Sequence, residues 1–339
     1  MEEKKLTRRQ LLKQSALLGT AAAGLAILSE GCSAADSVTI QPQPANPAKS
    51  ASGKPKVVIV RDKSILGDDG INQKAAEQML GRAVAKLTGK SSGAEAWKSL
   101  FKPTDVVGIK VNCLFGKGVS THPEIAYAVA AGLQLAGVKP ENIIIWDRST
   151  GDLVKCGYIP NKGAGIKVLA DDGDWGNEVK NGSFHGRLSK ILTEKITALV
   201  NVPILKTHGM AGISCALKNH YGSFDNPGAG HKGGCNPWLA ELNAIPQIKD
   251  KTRLVVVDAA RLQCDGGPGL QVKYQFDYYG LLVGFDPLAI DRVGLDIIDQ
   301  QRKQMGREEL GLERVKWITT AATSGVGDAD LSKIELIKI

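Results

Sequence analysis

A series of short, near-continuous apolar runs constrains what this chain can fold into more than any other feature. Val57-Val58-Ile59-Val60-Arg61 is the first, and Asp105 to Val111, Asn142 to Trp146, Ala198 to Val202, Arg253 to Val257 and Gly280 to Phe285 follow. A strand with one wet face alternates apolar and polar residues. Unbroken apolar runs belong to strands covered on both faces. Between the runs, Gln73 to Leu87 has helical spacing, with Ala76, Met79, Leu80, Ala83, Val84 and Leu87 on one side. Thr121 reads as an N-cap, with Pro123 in the first turn and Glu124 behind it, and the helix Pro123 to Ala136 stops at Gly137. Strand, helix and strand from Asp105 to Trp146 make a right-handed crossover unit. Helices are also expected at Leu188 to Ile196 and Pro287 to Lys303, and an edge strand at Ile334 to Ile339. The expected fold is α/β: three layers, a mostly parallel sheet with helices on both faces, and room for a small inserted subdomain. Arg148 to Phe184 reads as irregular. Asn219 to Pro237 reads as a long glycine-rich loop, of a length that usually serves a function.

The first 35 residues read as a targeting segment, set apart from the fold. Thr7-Arg8-Arg9-Gln10-Leu11-Leu12-Lys13 resembles a twin-arginine export signal, and the uncharged stretch Ala16 to Leu28 follows it. A thirteen-residue helix reaches about 20 Å, short of the ~30 Å hydrocarbon core of a bilayer. Ser29-Glu30-Gly31-Cys32 is a degenerate lipobox, and cleavage after Ala35 competes with lipid attachment at Cys32. Residues 36–54, rich in Pro, Ala, Ser and Gln, read as a tether with too little apolar surface to order. The folded domain is then 55–339. The expected location is beyond the cytoplasmic membrane, in the periplasm or cell envelope, with the twin-arginine export machinery as a partner. The net charge of +8 is spread along the chain with no basic run, which argues against nucleic-acid binding.

Polar residues gather where the apolar runs end. Lys110 and Asn112 follow the second run, Asp147 and Arg148 the third, Lys206 and His208 the fourth, Asp258 and Arg261 the fifth. In a parallel sheet these ends share one edge, where open α/β sheets place their ligands. Lysine is rarely interior unless paired, so Lys110, Lys206 and Lys218 point to an anionic ligand, with Asn112 and Asn219 beside them. His208 and His122 are the proton-moving candidates, since an unperturbed imidazole titrates near ~6.5. Asp147 and Asp258 could orient the lysines or hold a metal, and His231 with Cys235 could form half a metal site. Gly266 and Gly267, before Pro268, form a rigid turn or offer backbone N–H groups to an anionic cofactor. Beyond Cys32 the cysteines are Cys113, Cys156, Cys215, Cys235 and Cys264, with no C-x-x-C pair. That spacing argues against a zinc ribbon or a ferredoxin-type cluster.

Val107-Gly108-Ile109-Lys110-Val111-Asn112, Ser120-Thr121-His122-Pro123-Glu124, Asn201 to His208, Leu217-Lys218-Asn219-His220-Tyr221-Gly222 and Asp265-Gly266-Gly267-Pro268 resemble the domain-of-unknown-function family 362 over about residues 106–299. That resemblance implies a site at these segments and assigns no reaction. A looser likeness links the chain to nickel-pincer lactate racemases. Those enzymes carry a Gly-Thr-His turn before a helix and, farther on, a His with a Lys ten residues later. Ser120-Thr121-His122 and the pair His208 and Lys218 are similar, which implies His122 and His208 as acid and base and Lys218 as a cofactor or substrate anchor.

Three functional readings follow. The first is an exported enzyme, of isomerase or racemase type or metal-dependent, using Lys/His acid–base chemistry on a small carboxylate or phosphate. The second is a redox protein in which Cys113, Cys215, Cys235 and Cys264 converge on an iron–sulfur cluster or metal ion. The third is a non-catalytic periplasmic protein that binds an anion with the same lysines.

Overall fold

Apolar runs become central strands where both faces find a helical layer to cover them. The computed structural model describes residues 53–339 apart from Asp69. The segments read as an export signal and a lipobox at Cys32, and nearly all of the segment read as a tether, lie outside the described residues. The strands are β1 (Lys56–Arg61), β2 (Leu66–Gly67), β3 (Gly70–Ile71), β4 (Val107–Lys110), β5 (Ile143–Asp147), β6 (Lys167–Ala170), β7 (Trp175–Asn181), β8 (Phe184–Ser189), β9 (Ala198–Asn201), β10 (Ile204–His208), β11 (Gly212–Ser214), β12 (Thr252–Gln263), β13 (Gln275–Gly284) and β14 (Glu335–Lys338). The main sheet runs β14-β1-β13-β12-β9-β4-β5-β6, with β10 beside β12 and β11 beside β10. Six of its pairings are parallel. The antiparallel ones are β13 against β1 and β12, and β11 against β10.

Successive side chains on each strand serve opposite layers. Val58, Val60, Ile143 and Ile145 pack with Leu80 and Val84 of the helix Gln73–Thr88 and with Val129 of the helix Pro123–Leu135. Val57, Ile59, Ile144 and Trp146 pack on the other face with Ile290 and Ile298 of the helix Pro287–Gln304 and with Trp317. Each fully buried Val, Leu or Ile contributes about 1.5–3 kcal/mol, so the two layers hold the sheet between them. The fold is the expected three-layer α/β arrangement. A small separate β7–β8 ribbon begins within the segment read as irregular and ends beyond it.

Helix boundaries follow their capping chemistry. The Asn72 side chain accepts from Ala75 N–H at the start of Gln73–Thr88, and Gly89 ends it at φ 71°. Asp286 accepts from Leu288 and Ala289 N–H groups at the start of Pro287–Gln304. Thr121 does not cap. The N-cap position of Pro123–Leu135 is His122, without a side-chain cap bond. Thr121 Oγ1 instead accepts from Asn112 N–H at 3.0 Å and donates to the Val202 carbonyl at 2.8 Å. It stitches the ends of β4 and β9 together, a long-range role that outweighs the local cap.

Several segments depart from the sequence expectation. Arg148 to Phe184 is not irregular: it holds the helix Thr150–Lys155, β6 and β7. Leu188 to Ile196 begins as the end of β8 and closes in one wide turn, Ile191–Lys195. The Arg253 run continues as β12 to Gln263, so Asp258 sits inside a strand rather than at its end. That buried carboxylate is accommodated because the backbone and ring of His122 both reach it.

Candidate active site

The segment after β9 folds back as a hairpin, and the hairpin carries the site. Ile204–His208 forms β10 and pairs antiparallel with β11, so that Lys206 lies opposite Ser214 and His208 opposite Gly212. The helix Ala216–Asn219 follows at once and brings Lys218 and Asn219. Lys206, His208, Ser214 and Lys218 line a cavity of about 260 Å³ with Asn112, Asp147 and His231. Residues from the ends of β4 and β5, from the β10–β11 hairpin and from the glycine-rich loop therefore converge.

The lysines fare differently. Lys110 is spent: Nζ donates to Asp147 Oδ1 at 2.7 Å and to the Val111 carbonyl at 2.7 Å. Asn219 lies behind it, accepting from Lys110 Nζ at 3.5 Å and donating to Asn201 Oδ1 at 2.7 Å. Both residues support the cavity from behind, and neither lines it. Lys206 is 2% exposed and its Nζ donates to the Val119 carbonyl at 2.5 Å. Lys218 is 6% exposed, with Nζ 3.1 Å from His231 Nε2 and 3.4 Å from the centroid of the Tyr221 ring. No ion pair among the described residues joins a carboxylate to either amine. Burial pulls Lys206 down to about 8 and Lys218 down to about 7.

His208 is held by its own turn. Its Nδ1 accepts from the N–H groups of Met210 and Ala211 at 3.2 and 3.1 Å. A neutral imidazole with Nδ1 so engaged carries its hydrogen on Nε2. Burial, followed by the charges of Lys218, His231 and Lys206, pushes His208 down to about 3, so the ring is neutral at ordinary pH. His231 stacks on it at 5.4 Å and 13°. Burial, then Lys218, also lowers His231.

His122 belongs elsewhere. Its Nδ1 lies 2.6 Å from Asp258 Oδ2, and the same oxygen accepts from its backbone N–H at 2.9 Å. Burial opposes charge on this ring, but the charge and hydrogen bond of Asp258 outweigh it and raise the pKa. The groups that shift His122 are Asp258, Glu124 and Arg261, whereas those that shift His208 are Lys218, His231, Lys206 and Arg314. The two histidines do not share a cavity, which removes the acid-and-base pairing implied by the racemase likeness.

The expected metal set does not assemble. Among the described residues, no group of three or more His, Cys, Asp or Glu side chains could hold a metal ion. Asp147 accepts from Lys110 and from the N–H groups of Cys113 and Arg148. Asp258 serves His122, His231 faces Lys218, and Cys235 is buried against Tyr221. The four cysteines proposed for a cluster also stand apart by their neighbours. Cys113 adjoins Cys156, Cys215 adjoins Asp291, and Cys264 lies 3.3 Å from Met305 Sδ. The Gly267 backbone is engaged within the protein. Gly267 N–H donates to Thr207 Oγ1, and its carbonyl accepts from Gly209 N–H. A Cβ on Gly267 would lie 1.9 Å from the Thr207 carbonyl, so this turn is a clamp on β10.

Tyr221 and Pro268, which lie in the family-like motifs, also line the walls. Other contributors carried no recognisable sequence signal, among them Met210 and Phe115. Asp291, fully buried in the helix Pro287–Gln304, accepts from the N–H groups of Ala216 and Leu217 at 2.6 and 2.9 Å and so anchors the helix that carries Lys218. Its only trace in the sequence is a carboxylate on an apolar helix face. Trp317 Nε1 donates to the Ala211 carbonyl at 2.7 Å, and an Arg314 guanidinium donates to the Gly209 carbonyl, bracing the β10–β11 turn.

Comparison with known proteins adds family membership. No curated protein matches the chain. A solved structure of a Thermotoga maritima protein, 10% identical, aligns over 72% of this chain with a TM-score of 0.40. The alignment spans 60% of that protein's own length. The sequence pattern of the DUF362 family, a domain of unknown function, matches residues 107–296. That interval holds every residue lining the cavity and more than half of the sequence, and the chain belongs to the DUF362 family.

Proposed function

We propose that this protein is an enzyme that binds a small anionic substrate, a carboxylate or a phosphate, and moves protons on it with lysine and histidine side chains. One observation carries the reading. Two lysines, each more than nine-tenths buried and without a carboxylate partner among the described residues, line one small cavity. An ammonium group taken out of water needs a counter-charge. A carboxylate or phosphate ligand supplies it, and about 260 Å³ suits a molecule of few heavy atoms.

The protonation pattern divides the roles. His208 presents Nε2–H and acts as a donor to a substrate oxygen. The base is the Lys218 amine, which titrates near working pH, with His231 against it. Lys206 supplies positive charge below about pH 8, and Lys110 with Asp147 holds the floor in place. The experiment is deuterium exchange: small hydroxy and oxo acids are incubated with the protein in D2O, and the carbon next to the carboxylate is followed by NMR. Exchange that disappears in Lys218→Met supports the reading. Saturable binding with no exchange on any acid leaves a binding protein instead of an enzyme.

We also propose export, on the strength of the Thr7–Lys13 pattern. Replacing Arg8 and Arg9 together by lysine should retain a fused reporter in the cytoplasm. Undiminished export would remove this part of the reading.

A further inference from the structure

We infer that Lys218 is a covalent nucleophile, whose amine condenses with the carbonyl carbon of a small 2-oxo acid held through its carboxylate by Lys206. The inference rests on the anion-binding reading of the same cavity, names the substrate class, and gives the Lys218 amine a covalent role in place of that of proton base.

The surroundings of the three lysines distinguish them. Lys110 is bound to Asp147 at 2.7 Å and has no access to the cavity. Lys206 donates to a backbone carbonyl and remains a charge. Lys218 lies over the face of Tyr221 and touches an imidazole nitrogen, His231 Nε2, at 3.1 Å. The remaining wall is mixed: apolar Leu114, Phe115, Met210, Pro227 and Pro268, with polar Asn112, Asp147, Arg148, Asp152 and Ser214 completing it. A lysine amine becomes a nucleophile when an apolar pocket and a neighbouring cation disfavour its protonated form. Lys206 is that cation, and burial is the larger cause.

The chemistry balances without an added reagent. The Nζ–C bond forms as the carbonyl π pair moves onto oxygen. One amine proton passes by way of His231 to that oxygen, giving a carbinolamine. The C–O bond then breaks, and the hydroxyl departs with the second amine hydrogen as one water, leaving an imine. His208 Nε2–H steadies the oxygen in both steps. No oxidant or reductant takes part. The groups facing Lys218 are Lys206 and His208 from β10, His231, Tyr221 and Cys235 from the loop side. Condensation needs a neutral Lys218 and a charged Lys206. It therefore rises as pH passes about 7 and falls above about 8.

The test uses the full chain with pyruvate as the probe and borohydride to reduce any imine, followed by peptide mass mapping. Lactate, a carboxylate without the carbonyl, is titrated in parallel by calorimetry. The expected result is one dominant adduct on the peptide containing Lys218, heavier by the acid less one oxygen atom. Lactate should bind without forming an adduct and should suppress the labelling. Lys218→Met, checked for folding by circular dichroism, should lose the adduct. Lys206→Met should keep it but need at least about tenfold more pyruvate. If pyruvate and lactate bind but labelling is scattered over surface lysines and unchanged in Lys218→Met, the nucleophile is wrong and the anion site stands. If neither acid binds, both fall.

Discussion

At the scale of single residues, the account turns on where a positive charge is left without a partner. Lys206 and Lys218 titrate near 8 and 7 because burial disfavours their charged forms. An anion binds the protonated amines. Affinity should therefore be greatest below pH 7 and decline through pH 8, as calorimetry across that range would show. The free protein behaves in the opposite sense. Between about pH 7 and the ordinary lysine value of ~10.4, the unfolded chain binds a proton at position 218 that the folded chain does not, so stability rises with pH. Lys218→Met removes this dependence and should stabilise the unliganded fold most below pH 7, as urea titrations at pH 6 and pH 10 would measure. The sequence disclosed Lys206, His208 and Lys218 because a motif dense in lysine and histidine follows a buried run. It did not disclose that Lys110 is neutralised, because Asp147 lies 37 positions away and the pairing depends on β4 and β5 lying side by side. His122 misled for a similar reason, since Asp258 reaches it from inside β12.

At the scale of elements, the β10–β11 hairpin and the short helix after it form a unit held from outside. Asp291 receives the first N–H groups of that helix. Asp291→Ala leaves two buried donors unsatisfied, at about 1–3 kcal/mol each. It should lower the unfolding midpoint and weaken anion binding together, because Lys218 loses its footing. Gly222 marks another constraint. A Cβ there would lie 2.5 Å from Asp147 Oδ1 and 2.7 Å from Lys110 Nζ. Gly222→Ala should cost about 1–3 kcal/mol by forcing the Lys110–Asp147 pair apart, detectable by thermal denaturation. The long strands and helices were legible because their apolar spacing is local. The hairpin was not: Ile204–His208 places polar Lys206, Thr207 and His208 in a strand, and only pairing with β12 and β11 makes that conformation favourable. The strands within Arg148 to Phe184 were hidden in the same way, since β7 is polar and half exposed.

At the scale of the whole molecule, the two edges of the sheet handle charge in opposite ways. Asp105 and Arg253, at the starts of β4 and β12, form a buried pair at 2.5 Å in which each charge is answered. At the other edge Asp147 answers Lys110, and among the described residues no carboxylate forms an ion pair with Lys206 or Lys218. Breaking the first pair with Asp105→Ala should cost about 3–5 kcal/mol while leaving the affinity of the folded fraction for anions unchanged. The three-layer architecture itself was readable, because continuous apolar runs alternating with amphipathic helices admit few other arrangements. What the sheet edge binds is the remaining question, and one titration addresses it most directly. Pyruvate and phosphate are titrated calorimetrically at pH 6.5 into the wild type and into Lys206→Met and Lys218→Met. The account predicts single-site binding of at least one of them, weakened about tenfold or more by each substitution, as loss of a charge-assisted hydrogen bond implies. Equal affinity in all three proteins would contradict it.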